Sequence, residues 1–217
     1  MNRAEIIALL IVALSLGSSP AKAQWTGILV EIGESTSDLQ FETGRRSMRR
    51  EDLSFQIEEI TDTDLRVGFS IGLNSIRTSN LLPPANTQKF EGNHLGFYLR
   101  LPMQLGEYFS LEGLFSYRYN FATDSNTSLP SEIEWHDSRL KIGLGVKFQA
   151  FRITPFISYR NVSGDISNNI SVELFDSVDN ISWGISFDYF LEPTAFIRLQ
   201  LSRGDEDSGY LNFVRVY

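Results

Sequence analysis

The 217-residue chain carries 27 acidic against 19 basic side chains, a net charge of −8, and no cysteine. That acidity argues against nucleic acid as a partner, and the missing cysteines exclude a disulfide-stapled mini-domain. With 16 glycines, 16 phenylalanines and 7 prolines in the length of one domain, the composition suits an all-β chain.

The chain opens "MNRAEIIALLIVALSLGSSPAKA", with Arg3 near the start, an apolar run from Ile6 to Leu16, and small residues at Ala21 and Ala23. This is the layout of a cleavable secretory signal over residues 1–23. The apolar run is shorter than the roughly 20 residues of a bilayer-spanning helix. Removing it takes away Arg3, Lys22 and Glu5, so the mature chain, residues 24–217, is more acidic still.

Ten extended segments follow, each near the roughly 9 to 11 residues that cross a bilayer at a tilt. Residues 25–33 begin the series, 34–52 form a long connection, 53–60 a second strand, and "TDTD" (61–64) a tight turn. Strict alternation appears in "LRVGFSIGLNS" (65–75): Leu65, Val67, Phe69, Ile71 and Leu73 share one face, and Arg66, Gly68, Ser70, Gly72 and Asn74 the other. A long 75–93 leads to a strand at 94–105 and a tight turn at Gly106. Residues 109–121 set Phe109, Leu111, Phe115, Tyr117, Tyr119 and Phe121 against Ser110, Glu112, Ser116, Arg118 and Asn120. After a long 122–134, residues 139–148 set Leu140, Ile142, Leu144, Val146 and Phe148 against Lys141, Gly143, Gly145 and Lys147. A tight turn near Ala150, a strand at 152–160 and a long 161–180 precede 181–190, where Ile181, Trp183, Ile185, Phe187 and Tyr189 share a face. "LEPT" (191–194) turns into 195–203, the acidic "GDEDSG" (204–209) turns again, and 210–217 ends the chain. Eight strands is the alternative count, if 25–33 and 53–60 are not strands.

Two features decide what the apolar faces touch. The opposite faces are crowded with Gly and Ser and carry single charges, which suits a closed lumen better than the water-washed face of a sandwich. Phe109, Phe148 and Tyr189 lie near one set of strand ends, while Phe121, Trp135 and Trp183 lie near the other, as in two interfacial girdles. Strands in hydrocarbon cannot leave an edge unpaired, so they must close on themselves. The expectation is a single closed antiparallel transmembrane β-barrel, with long connections outside and short turns and both termini at the periplasm. Its inward face would hold Glu31, Glu58, Glu112 and Asp188 against Arg66, Arg100, Arg118, Lys141, Lys147, Arg160 and Arg198, charges that would pair across a narrow lumen.

The alternating segments and the ending "YLNFVRVY" resemble the small outer-membrane β-barrel superfamily of Gram-negative bacteria, the OmpA- and OmpW-like barrel domains. The resemblance covers residues 24–217. It implies an outer-membrane location, and recognition of the terminal Tyr217, with Phe213 and Leu211, by the barrel assembly machinery. Arg215 departs from the family pattern, which is usually apolar at that position.

Candidate chemistry is sparse. The only histidines, His94 and His136, are expected at outer strand ends, and Asp137 follows the second, which allows a rim hydrolase with His136 as general base. "GRRSMRRED" places Arg45, Arg46, Arg49 and Arg50 in the first external connection, where guanidinium groups would grip lipopolysaccharide phosphates. Asp205, Glu206 and Asp207 offer oxygen ligands for calcium without the spacing of a known loop, so an acidic turn is the simpler reading. Asn126, Asn161, Asn169 and Asn180 begin N-x-S/T triplets that in a bacterium read as loop composition. The sequence therefore predicts a monomeric barrel without cofactor, its neighbours outer-membrane lipid and lipopolysaccharide, its role structural or interactive through 34–52, 75–93, 122–134 and 161–180. A narrow anion-preferring pore and the rim hydrolase are the alternatives.

Overall fold

A computed structural model of the protein describes residues 27–61, 64–79, 87–124, 130–168 and 171–217. Residues 1–23, Trp25, Asn126 and Asn169 lie outside the described residues. Strands follow in chain order: β1 (Gly27–Phe41), β2 (Gly44–Ile60), β3 (Arg66–Ser79), β4 (Thr87–Gln104), β5 (Phe109–Asp124), β6 (Ser131–Phe148), β7 (Phe151–Asn168), β8 (Val172–Ser177), β9 (Ile181–Glu192), β10 (Ala195–Gly204) and β11 (Glu206–Val216).

Each long strand pairs antiparallel with its neighbours, and β1 pairs with β11 as well as β2, so ten strands close into a ring. Closure satisfies the backbone groups that hydrocarbon would leave bare. Gly27 lies opposite Val216, which puts both ends of the described barrel at the same rim. The short β8 is additional. It bonds to the outer part of β7 through residues 163–167 and to the tip of β1 through 39–41. The wall above β9, β10 and β11, which stop lower, is thereby completed.

The strands outrun the sequence reading, and the reason is physical. Within the belt, large apolar side chains point outward: Ile71 is 60% exposed and Leu73 59%. Beyond it the alternation inverts. On β1 the outward Val30 and Ile32 give way to Glu34, Thr36 and Asp38, while Leu39 and Phe41 turn inward and are buried. On β6 the outward Leu140 gives way to Glu134 and Glu132, with Ile133 and Trp135 turned inward. Residues 34–52 are thus a β-hairpin whose strands are joined at 42–43, and most of 161–180 is strand, so neither is the loop that was expected. The turns at the opposite rim are short, with Asp64 (φ 61°) and Gln149 (φ 50°) in the left-handed region.

Inverted alternation gives the outer end a core of its own. Leu39, Phe41, Met48, Ile76, Phe90, Ala122, Ile133, Trp135, Val162 and Phe175 form one buried apolar cluster inside the ring. Trp135, expected in the lipid-facing girdle, is fully buried at its centre, while Trp183 does face outward at 65% exposure. Gly164 makes room for it: a Cβ there would collide with the Trp135 side chain and the backbone of Glu134. A smaller cluster of Leu29, Phe196 and Val214, joined by Phe190 and Val216, covers one side of the periplasmic mouth.

Candidate functional site in the barrel lumen

Between the two apolar clusters the lumen is lined by charge. Nearest the outer cap, Arg50 Nε lies 2.7 Å from Asp52 Oδ2, Arg160 Nη2 donates to Asp137 Oδ2 at 2.9 Å, and Arg139 Nη2 donates to Glu206 Oε2 at 2.5 Å. Arg160 also approaches Asp205 at 3.5 Å, and Tyr210 donates to Asp52 at 3.4 Å. At mid-height Arg118 donates to Glu31 at 2.9 Å. Toward the periplasm Asp188 accepts from Arg198 Nε at 2.7 Å and from Arg152 Nε at 2.7 Å. Glu58 accepts from Arg66 at 2.8 Å, with Arg100 at 3.5 Å and the Tyr98 hydroxyl at 3.2 Å. Because removing one partner of a buried pair strands the other charge, this network holds the wall together as a unit.

The structure turns Glu31, Glu58, Glu112, Asp188, Arg66, Arg100, Arg118, Lys141, Arg160 and Arg198 into the lumen, and leaves Lys147 exposed at the periplasmic mouth above the Phe190 ring. It adds Arg50, Asp52, Asp137, Arg139, Arg152, Asp205 and Glu206. Arg139 and Arg152 share parity with Lys141 and Arg160, so the period of two already contained them. Arg50 and Asp52 share parity with Glu58 but precede residue 53, where the sequence reading began the strand.

At the outer end, two adjacent carboxyls respond in opposite ways to burial. Burial pushes Asp205 up to about 6, only partly offset by Arg160. Burial also acts upward on Glu206, but Arg139, Arg160 and Arg50 overcome it and hold the group down at about 2. Asp205 pairs with Arg160, and Glu206 with Arg139, Arg160 and Arg50, while Asp207 is exposed and its carboxylate accepts from the Gly204 backbone at 3.3 Å. Among the described residues no cluster of three His, Asp or Glu side chains is placed to hold a metal.

The remaining candidates separate. His94 points inward, is buried, and meets Ser54 Oγ at 3.2 Å. His136 points outward, exposed, between Tyr117 and Tyr119, with its Nδ1 2.5 Å from the Tyr117 hydroxyl. Asp137 faces the lumen and pairs with Arg160. The two histidines therefore lie on opposite faces of the wall, and neither joins Asp137 in a dyad. The four arginines of "GRRSMRRED" divide likewise. Arg45 and Arg49 face outward beside Asp38 (2.8 Å) and Glu34 (2.6 Å). Arg46 lies over the inward Phe41 ring and pairs with Glu173 at 2.8 Å, and Arg50 is buried in the lumen. Arg50 is thus a wall-bracing residue and not part of a surface cluster. The outward row is instead Arg49, Arg77 and Lys89, in register on three adjacent strands.

No protein-family model matches the chain, and no curated protein sequence matches it. Solved structures do. The outer membrane protease OmpT from Escherichia coli is 6% identical with a TM-score of 0.52, over 93% of this chain and 99% of that one. The transport unit of the autotransporter AIDA-I from Escherichia coli is 11% identical with a TM-score of 0.50, over 97% and 96%. The translocator domain of the autotransporter NalP from Neisseria meningitidis is 12% identical with a TM-score of 0.49, over 99% and 96%. The closed ring and its lipid-facing belt make this chain an outer-membrane β-barrel, and the likeness to OmpT and AIDA-I is one of fold.

Proposed function

We propose that the chain is a non-conducting surface barrel, a membrane anchor that carries a rigid extension for contact at the cell surface, akin in role to the small OmpA- and OmpW-like barrels. The observation that carries this reading is the ten-residue apolar cluster inside the outer end. A water-filled pore needs a wetted mouth, whereas a close-packed apolar plug excludes water. The same plug makes the extension a folded platform. Planar-bilayer recording tests the reading: the expected result is no steady unit current, and steady unit currents would overturn it in favour of the anion-preferring pore.

The partner that fits the outer wall is a phosphorylated lipid headgroup such as that of lipopolysaccharide. Arg49, Arg77 and Lys89 form a row just above the belt, each about half exposed and within reach of a carboxylate, Glu34, Glu51 and Glu91 respectively. Guanidinium groups at that height meet headgroup phosphates in bidentate fashion. Replacing the three by Gln is expected to lower lipopolysaccharide retention in pull-downs of the folded barrel, and unchanged retention sinks the assignment. Recognition by the assembly machinery through the outward Leu211, Phe213 and Tyr217 belongs to the same reading.

A further inference from the structure

The lumen holds a cavity of about 80 Å³ at mid-height. Its charged lining is unbalanced: Arg50, Arg100, Arg118, Arg139, Lys141 and Arg198 stand against Glu31 and Asp137. Four of these six cations have a close carboxylate of their own, as described above. The other two do not. Arg100 reaches Glu58 only at 3.5 Å and Glu112 at 3.9 Å, and both acids have closer partners in Arg66 and Arg198. Lys141 donates to Gln200 Oε1 at 2.9 Å and lies 5.0 Å from the centre of the Phe156 ring; among the described residues no carboxylate comes within 4.0 Å of it, and Glu112, which shares a lining with it, is the acid that acts on it at longer range. Both side chains are buried, Arg100 at 8% exposure and Lys141 at 6%.

Register brings these two cations to one height. Arg100 lies opposite Leu114 on β5, and Leu114 lies opposite Lys141 on β6. Their Cα atoms are therefore two strand spacings apart, about 10 Å, and both long side chains reach the same cavity. A buried charge without a close carboxylate is costly, and the low dielectric that makes it so strengthens any anion placed between two of them. The space exceeds what one water needs. A second space lies toward the periplasm. The periplasmic mouth, covered on one side by the apolar cluster of Leu29, Phe196 and Val214, opens on the other into a cleft of about 240 Å³ lined by Arg66, Gln104, Ser110, Glu112 and Arg152. Glu112 stands between the two spaces, facing the cleft and pairing with Arg198 at the cavity wall.

We infer that the lumen is a blind chamber that binds a small inorganic oxyanion of the sulfate or phosphate class between Lys141 and Arg100, entering from the periplasm and unable to leave through the outer end. This goes beyond the surface role and does not depend on lipid binding at the outer wall.

The test uses the refolded full barrel in uncharged detergent. Sulfate replaces gluconate, which is too bulky for the cavity, at constant ionic strength, and the urea unfolding midpoint is followed. A ligand that binds only the folded state raises the midpoint, which keeps climbing with the logarithm of its concentration above half-saturation. The expected result is such a climb in the native protein and in Arg203→Gln, an exposed position of β10 away from the outer cationic row. In Lys141→Met, checked for folding by heat-modifiable gel mobility, half-saturation should move at least tenfold higher. A midpoint indifferent to sulfate in the native protein overturns the site. So does a response in Lys141→Met equal to the native one, which would mean an adventitious ion only.

Discussion

Below the outer membrane surface and above it, the same strands are built to opposite rules. On β3, Phe69, Ile71 and Leu73 face out and Ser70, Gly72 and Asn74 face in; a few residues further, Ser75 and Arg77 face out and Ile76 is buried inside. The backbone parity never changes, because a slip of one residue would turn every side chain to the wrong face. What changes is the solvent. Lipid tails reward apolar side chains outside and leave the inside to ion pairs, while water above the headgroups reverses the preference. The extension is therefore an ordinary hydrophobic core wrapped by a sheet, standing on a barrel that is polar inside.

The largest effect should come from emptying that core. Trp135 is fully buried, and Trp135→Ala removes the bulkiest member of the cluster from a space that β8 and the Gly164 approach hold rigid. The expected destabilisation is about 3–5 kcal/mol, read as a lowered urea midpoint of the refolded barrel. A change of under about 1 kcal/mol would mean that the extension is not packed as a core, and the comparison would fail.

A sharper form of the contrast uses two outward positions on one strand. Ile71→Arg places a charge against acyl chains and should cost about 2–4 kcal/mol in lipid vesicles. Arg77→Leu, six residues on and beyond the belt, should stay within about 0.5 kcal/mol, since its contact with the acid Glu51 is 3.8 Å long and exposed. Equal costs would place both residues in the same solvent.

The inversion also explains how far the sequence was legible. Ring closure and the ten strands could be read because residues such as Leu65, Val67, Phe69, Ile71 and Leu73 carry an uninterrupted signal through the belt. Reading apolar as outward throughout then failed where the rule flips. It assigned Trp135 to the girdle, took the hairpin at 34–52 for a loop, and passed over β8, whose Val172 and Leu174 face out while Phe175 is buried. The lumen charges Arg50 and Asp52 are missed because their strand is started late, while Arg139 and Arg152 open recognised strands and are missed although the period of two contains them. Pairing was the part no pattern contained: which of several inward acids meets which guanidinium depends on chords across the ring, as between Arg198 and Glu112, 86 residues apart.

The smallest effect sharpens the comparison at the boundary itself, where the ion-paired lumen meets the outer turn. Asp205 has its folded pKa raised to about 6 from an ordinary 3.8, by burial that Arg160 only partly offsets. Between those values the unfolded chain has released this proton and the folded one retains it, so stability from this group falls as pH rises from about 4 to about 6. Below about 4 both states are protonated and the penalty is absent. Above about 6 it is complete, about 1 kcal/mol after allowance for solvent screening. Its neighbour Glu206, held at about 2, contributes in the opposite sense at lower pH: its stabilisation is present above about 4.5 and lost as pH falls toward 2. Asp205→Asn removes the first dependence and leaves the second. The stability of the variant relative to the native barrel should therefore rise by about 1 kcal/mol between pH 4 and 7 in urea titrations. A flat difference across that range would mean that Asp205 is solvated like any surface acid, and that the closed outer end begins above it.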